Sequence, residues 1–149
     1  MKFVIQRVTE ASVEIDGTTK AAIQKGFIVL IGVGQGDDRA IADKMIKKLI
    51  GMRIFADEND KTNLSLKDVD GELLLISQFT LYANCKKGNR PSFIEAGKPD
   101  EAEALYDYII EECKKQIPQT KCGEFGADMK IKLVNDGPFT IILDSKELF

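Results

Sequence analysis

The segment Leu133–Leu143, LVNDGPFTIIL, constrains this chain more than any other. It is apolar at both ends, as a buried strand is, yet Asn135-Asp136-Gly137-Pro138 stands in its middle. Proline removes a ladder donor and glycine weakens a strand, so neither belongs inside a central strand. The pattern predicts two strands, Met129–Leu133 and Phe139–Leu143, with a break between them. Asn, Asp, Gly and Pro are turn formers, so the plain reading of the break is a tight turn. A Gly-Pro bond can also be cis, and the residues alone do not reveal the isomer.

The elements before that break predict their own order. Lys2–Ile15 is extended, and Asp16-Gly17 is a hairpin signal that returns the chain along Thr18–Ile23. Phe27–Val33, FIVLIGV, lies between Gly26 and Gly34 and is rich in β-branched residues, as a buried strand is. Asp37–Ile50 places Ile41, Met45, Ile46 and Leu49 at helical spacing. Its acidic start and its Lys47-Lys48 end both suit the helix dipole. Arg53–Phe55 reads as a short strand, Ala56–Ser65 as a polar loop, and Glu72–Tyr82 as another strand. Asn84–Lys98 is a long loop, a kind of segment that is often functional in compact domains. Pro99–Gln116 is a second helix, with proline and acids in its first turn and Lys114-Lys115 at its end. The order β-β-β-α-β-β-α-β-β predicts an α/β fold: a layered mixed β-sheet with two main helices, in a single domain over residues 1–149.

Composition removes whole classes of chemistry. The chain has no histidine, which excludes Ser-His-Asp triads, Cys-His pairs and His-ligated metals. Its cysteines, Cys85, Cys113 and Cys122, are odd in number and widely spaced, which argues against a disulfide framework. With no CxxC pair and only a weak acidic loop at Asp57, Glu58 and Asp60, no metal and no cofactor are expected. Any catalysis must come from carboxylates, hydroxyls, backbone dipoles or the substrate. The longest apolar run is Phe27–Val33, far short of the ~20 residues that span a bilayer. The start, MKFVIQRV, lacks the form of a signal peptide, so the expected location is cytoplasmic. A net charge of −3 disfavours broad nucleic-acid binding but leaves room for a local basic patch. Lys86, Lys87 and Arg90 form the clearest one, although such residues are ordinarily just a solvated loop.

The first candidate site is Ser77-Gln78-Phe79-Thr80, which follows the aliphatic run Leu73–Ile76. In a regular strand Ser77 and Phe79 would share one face, and Gln78 and Thr80 the other. They can serve one pocket only if the strand ends or bulges there. The plain reading is a strand leaving the core and turning polar. The functional reading is a strand end whose side chains and freed N–H groups bind a substrate. The second candidate is Asn135–Thr140, NDGPFT.

Taken together, these segments resemble the D-aminoacyl-tRNA deacylase family, the D-Tyr-tRNA deacylases. SQFTLYA at Ser77–Ala83 is similar to the family's SQxT motif, and NDGPFT at Asn135–Thr140 to its NxGPxT motif. QRVTEASVEIDG at Gln6–Gly17, RIFADENDKTNLS at Arg53–Ser65, GNRPSF at Gly88–Phe93 and FGADM at Phe125–Met129 also resemble family segments, in order and without large gaps. Phe139 departs from a usually smaller aliphatic, and Asn84-Cys85 from a usual Asp-Thr.

The resemblance implies a homodimer that hydrolyses the ester of D-aminoacyl-tRNA, and in part that of glycyl-tRNA. It implies a cis Gly137-Pro138 reaching into the partner's pocket beside Ser77, Gln78, Phe79 and Thr80. It places Asn135 and Thr140 with that motif and Met129 near the terminal adenine. Lys86, Lys87 and Arg90 become candidates for tRNA contact. L-amino acids would be rejected by backbone clash. The tRNA 2′-OH and backbone N–H groups would assist the chemistry. Thr80 as a nucleophile ranks second, for want of a base. A nucleic-acid-binding module without catalysis, or a structural dimer with a silent site, remain alternatives from other classes.

Overall fold

Strand β1, Lys2–Ile15, is the axis of the fold in the computed structural model, which describes residues 1–149. Strand β8, Lys130–Asp144, pairs with it antiparallel from Lys2↔Asp144 to Glu14↔Lys130. A strand has two edges, so the other edge must serve both remaining partners in succession. There β2, Thr18–Ile23, pairs with the far half of β1, and β3, Gly26–Gly32, with the near half. Asp16 and Gly17 make the predicted tight turn, with φ of 50° and 78°. The sheet continues in parallel from β3 to β6, Glu72–Ser77, and on to β7, Thr120–Cys122. It is therefore a mixed, six-stranded sheet.

Helices α1, Arg39–Gly51, and α2, Pro99–Gln116, cover one face. Their apolar stripes join Phe3, Ile5, Phe27, Val29, Leu73 and Leu75 in the larger core. The other sheet face, with Ile28, Leu74 and Ile76, packs against Val8, Ala11 and Val13 of β1 and Met129, Ile131 and Leu133 near the start of β8. Thus the far half of the β1–β8 ribbon folds over the sheet's second face. The inward alternation of β1 changes phase between Ile5 and Val8, where its register with β8 also shifts.

The α/β class and both main helices agree with expectation, and five details differ. The break at Asn135–Pro138 is not a turn between two strands. The chain keeps its direction, and two steps along β1, from Gln6 to Val8, oppose five along β8, from Thr140 back to Asn135. Asp136–Phe139 therefore loops out of a strand that continues on both sides, which is how β8 tolerates glycine and proline. The polar loop after Arg53 is a hairpin of β4, Arg53–Ala56, and β5, Thr62–Ser65. Asp57 organises it by accepting from the N–H groups of Asn59 and Lys61. The strand over Glu72–Tyr82 stops at Ser77. Finally, β7 and a C-terminal turn of helix, α3, Ser145–Leu148, carry too little periodicity to be read from so few residues. Helix α1 starts two residues later than expected, because Asp38 caps it by accepting from Ile41 N at 2.8 Å.

Candidate active site

Why β6 stops at Ser77 follows from what comes next. Gln78 N still donates to Ile31 O, at 2.7 Å, and the chain then turns into a 3-10 helix over Phe79–Tyr82. That turn seats Leu81 and Tyr82 on two glycines at the end of β3. A Cβ on Gly32 would stand 3.1 Å from Leu81 Cβ, and one on Gly34 only 2.5 Å from the Tyr82 ring. The turn's first bond runs from Leu81 N to Gln78 O, so the N–H groups of Phe79 and Thr80 precede it and have no partner within it. Gln78 Nε2 donates to Thr80 Oγ1 at 2.6 Å.

Beside this turn lies a cleft of about 270 Å³. Ser77, Gln78 and Phe79 form one wall; Phe125, Met129 and Ile131 form the facing one. Gly123 makes room for Met129, since a Cβ there would lie 2.5 Å from its Sδ. A second hollow of about 290 Å³ shares Ser77, Phe79 and Phe125 and is closed by Val33, Gly97 and Pro99. Phe93 meets the Phe79 ring edge-on, centroids 5.1 Å apart. No ionisable side chain lines either space.

The bulge at Asn135–Thr140 is a separate construction. Asn135 Oδ1 accepts from Phe139 N at 2.7 Å, and its Nδ2 donates to Thr140 Oγ1 at 3.1 Å. Arg7 holds it from below. Its Nε donates to Asp136 O at 3.0 Å and its Nη1 to Ile54 O at 2.6 Å. Its guanidinium also pairs with the Asp136 carboxylate at 3.4 Å and lies 4.7 Å over the Phe139 ring. The Gly137-Pro138 bond is cis, both residues are exposed, and Gly137 has a φ of 140°, a region that favours glycine. None of these residues lines the cleft of its own chain.

The structure therefore brings Ser77, Gln78, Phe79 and Met129 together, with Thr80 bonded to Gln78. It gathers Asn135, Gly137, Pro138 and Thr140 elsewhere. Lys86, Lys87 and Arg90 are exposed in the Asn84–Lys98 loop, which is pinched by paired Asn84–Ser92 backbone bonds of 2.8 and 2.9 Å. The three cysteines are free; burial pushes the Cys113 thiol up to about 12, and Cys85 is exposed.

Sequence reasoning missed Arg7, Phe125, Val33 and Gly97 as site residues. Arg7 had a signal: Phe3 and Ile5 point inward, so alternation puts an arginine next on the inward face. A charge there needs partners. Phe125 lies in a resembling segment but in no regular element. Val33 and Gly97 had no local signal.

The cleft of this α/β chain offers a hydroxyl and an amide without an ionisable side chain, which equips it to place a substrate rather than to exchange protons with it. The comparison with known proteins says which family it resembles. The family model described as D-Tyr-tRNA(Tyr) deacylase matches residues 4–144. This chain belongs to that family.

Proteins named D-aminoacyl-tRNA deacylase from Clostridium novyi (strain NT) and Thermosipho africanus (strain TCF52B) are 52% and 50% identical to it, over the full length of both chains. One from Lactobacillus acidophilus (strain ATCC 700396 / NCK56 / N2 / NCFM) is 55% identical, covering 97% of this chain and 99% of its own. Among solved structures, the "c-Myc DNA Unwinding Element Binding Protein" superposes with a TM-score of 0.92 at 39% identity, covering 97% of this chain and 98% of its own. A probable eukaryotic D-amino acid tRNA deacylase, at 15% identity and a TM-score of 0.82, covers 95% of this chain and 97% of its own and shares the fold. No helix is long and apolar enough to cross a membrane.

Proposed function

We propose that this chain hydrolyses the ester between a D-amino acid and the 3′-terminal ribose of tRNA, as a cytoplasmic homodimer. The observation that carries the reading is the division of labour just described. One motif opens a cleft without ionisable groups, and the other presents backbone that its own cleft does not use.

An aminoacyl ester is activated already, so the protein need only place it. Water adds to the carbonyl carbon, and the developing oxyanion takes hydrogen bonds from the N–H groups of Phe79 and Thr80. The C–O bond to the 3′-oxygen breaks, and the vicinal 2′-OH passes its proton to that leaving oxygen while taking one from the attacking water in its place. Free amino acid and tRNA result. Met129 lies beside the adenine. Thr80 and Gln78 orient the ester, with no base to make Thr80 a nucleophile.

Gly137-Pro138 of one protomer enters the cleft of its partner, where its backbone occupies the space an L side chain needs. Asn135, Thr140 and Arg7 hold that backbone rigid. Selection then works by exclusion, so many D-amino acids fit, and glycine in part. Lys86, Lys87 and Arg90 meet the phosphates of the tRNA.

The test is deacylation of matched D-Tyr-tRNA and L-Tyr-tRNA by the purified protein, followed by release of free tyrosine. The expected result is rapid loss of the D-ester only. Loss of both esters at similar rates would remove the chiral filter, and loss of neither would remove the reaction.

A further inference from the structure

We infer that Asp37, a buried carboxylate outside the cleft, is a positioning residue for it; this rests on the proposed ester hydrolysis. The Asp37 side chain is 8% exposed. Its Oδ1 receives the α-ammonium of Met1 at 2.7 Å, and that ammonium also donates to Ser145 Oγ at 2.7 Å. Its Oδ2 accepts from Gly34 N at 2.7 Å, so a full negative charge sits under the turn that follows β3.

That turn is tied to the loop that walls the hollow adjoining the cleft. Gln35 N donates to Glu95 O at 3.1 Å, and Gly97 N donates to Val33 O at 2.9 Å. On the surface, Gln35 Nε2 donates to Ile94 O. Val33 and Gly97 close the hollow that Ser77 and Phe79 share with the cleft. The same loop carries Phe93 onto the Phe79 ring. Nor can the turn drift toward the 3-10 helix after β6, because Gly34 already lies against Tyr82 with no space for a Cβ. Asp37 thus sets the height of the Val33–Gly97 wall relative to the Phe79 wall, although it touches neither substrate nor reacting atoms.

Asparagine at this position keeps the shape but has one acceptor oxygen. It can serve the ammonium or the Gly34 N–H, not both, and its NH₂ would face a donor. The experiment compares wild type, Asp37→Asn and Gln35→Ala. It measures kcat and KM on D-Tyr-tRNA, and amide hydrogen exchange at Gln35 and Gly97.

For Asp37→Asn we expect KM to rise about tenfold, the loss of one charge-assisted bond, with kcat within about twofold. Gln35→Ala, on the surface, should raise KM by a smaller factor. Exchange at Gly97 should quicken in Asp37→Asn. A merely structural ion pair would lower stability and leave KM alone. Unchanged KM in folded Asp37→Asn therefore overturns the inference. If that variant does not fold, unchanged KM in Gln35→Ala overturns it. Should wild type fail to cleave D-Tyr-tRNA, the hydrolysis reading falls by itself. Gly97 exchange then still decides the coupling: faster exchange in Asp37→Asn supports it, and unchanged exchange overturns it.

Discussion

At Ser77–Phe79 the side chains line the cleft, Thr80 is bonded to Gln78, and the backbone is fixed by packing behind them. At Asn135–Thr140 the side chains bond to their own backbone, and it is the backbone that is displayed. The first segment is set by what fits on Gly32 and Gly34, so burial holds it. The second loops out of an edge strand with little burial, and one arginine with two polar side chains holds it by directed bonds. Packing tolerates small volume changes at modest cost, whereas a loop held by hydrogen bonds loses its shape when one key donor goes. In the proposed reaction the packed segment would do the chemistry and the bonded segment the choosing. The two should therefore fail differently.

The largest expected failure is Arg7→Ala. It leaves the carbonyls of Asp136 and Ile54 without their donor and uncovers the Phe139 ring. Two partly buried acceptors left unpaired should lower stability by about 3 kcal/mol. The more telling readout is selectivity. A displayed backbone displaced by ~1 Å should reduce the D-over-L ratio of kcat/KM by about a hundredfold. Lysine should not restore it, because it lacks the planar fork that reaches both carbonyls. An unchanged ratio in Arg7→Ala would separate the bulge from chiral choice.

Gly137→Ala comes next and sharpens the same point. At a φ of 140° an L side chain is strained, and its Cβ would lie 2.9 Å from Phe139 N and 3.3 Å from Arg7 Nη2. The strain of about 1–2 kcal/mol should appear as a lower melting temperature and about a tenfold loss of kcat/KM on D-Tyr-tRNA. Wild-type values for both would mean that the bulge has more freedom than its bonds imply.

The contrast also explains what could be read from residues alone. The SQFT segment was legible as a candidate site only on the condition that its strand ended. That condition depends on Gly32 and Gly34, distant in sequence, so no local pattern supplies it. The NDGPFT break was plain, but its form was not. A turn and a looped-out bulge use the same residues, and only the register of β8 against β1 separates them. The fold class and both long helices were legible because amphipathic periodicity and end charges agree over many residues. Strand β7 and helix α3 are too short for that agreement to build up. Arg7 was visible only as a charge on an inward position of β1, which indicates a buried partner without naming it.

The smallest expected effect is the one that separates mechanisms. Thr80→Val removes the hydroxyl that accepts from Gln78 Nε2 and leaves the backbone N–H in place. If Thr80 only orients the ester, the loss is one hydrogen bond between exposed groups, worth about 1 kcal/mol, or about fivefold in kcat/KM. If its Oγ1 attacks the carbonyl, turnover should fall by a factor on the order of a thousand or more. The pH profile provides a second test of the same mechanism. With no ionisable side chain lining the cleft, kcat/KM should lack the bell that an enzymic acid and base impose. A fall of a thousandfold in Thr80→Val, or a bell centred near neutrality, would move the chemistry from the backbone to a side chain. The packed segment would then owe its function to what it displays, as the bulge does, rather than to how its backbone is held.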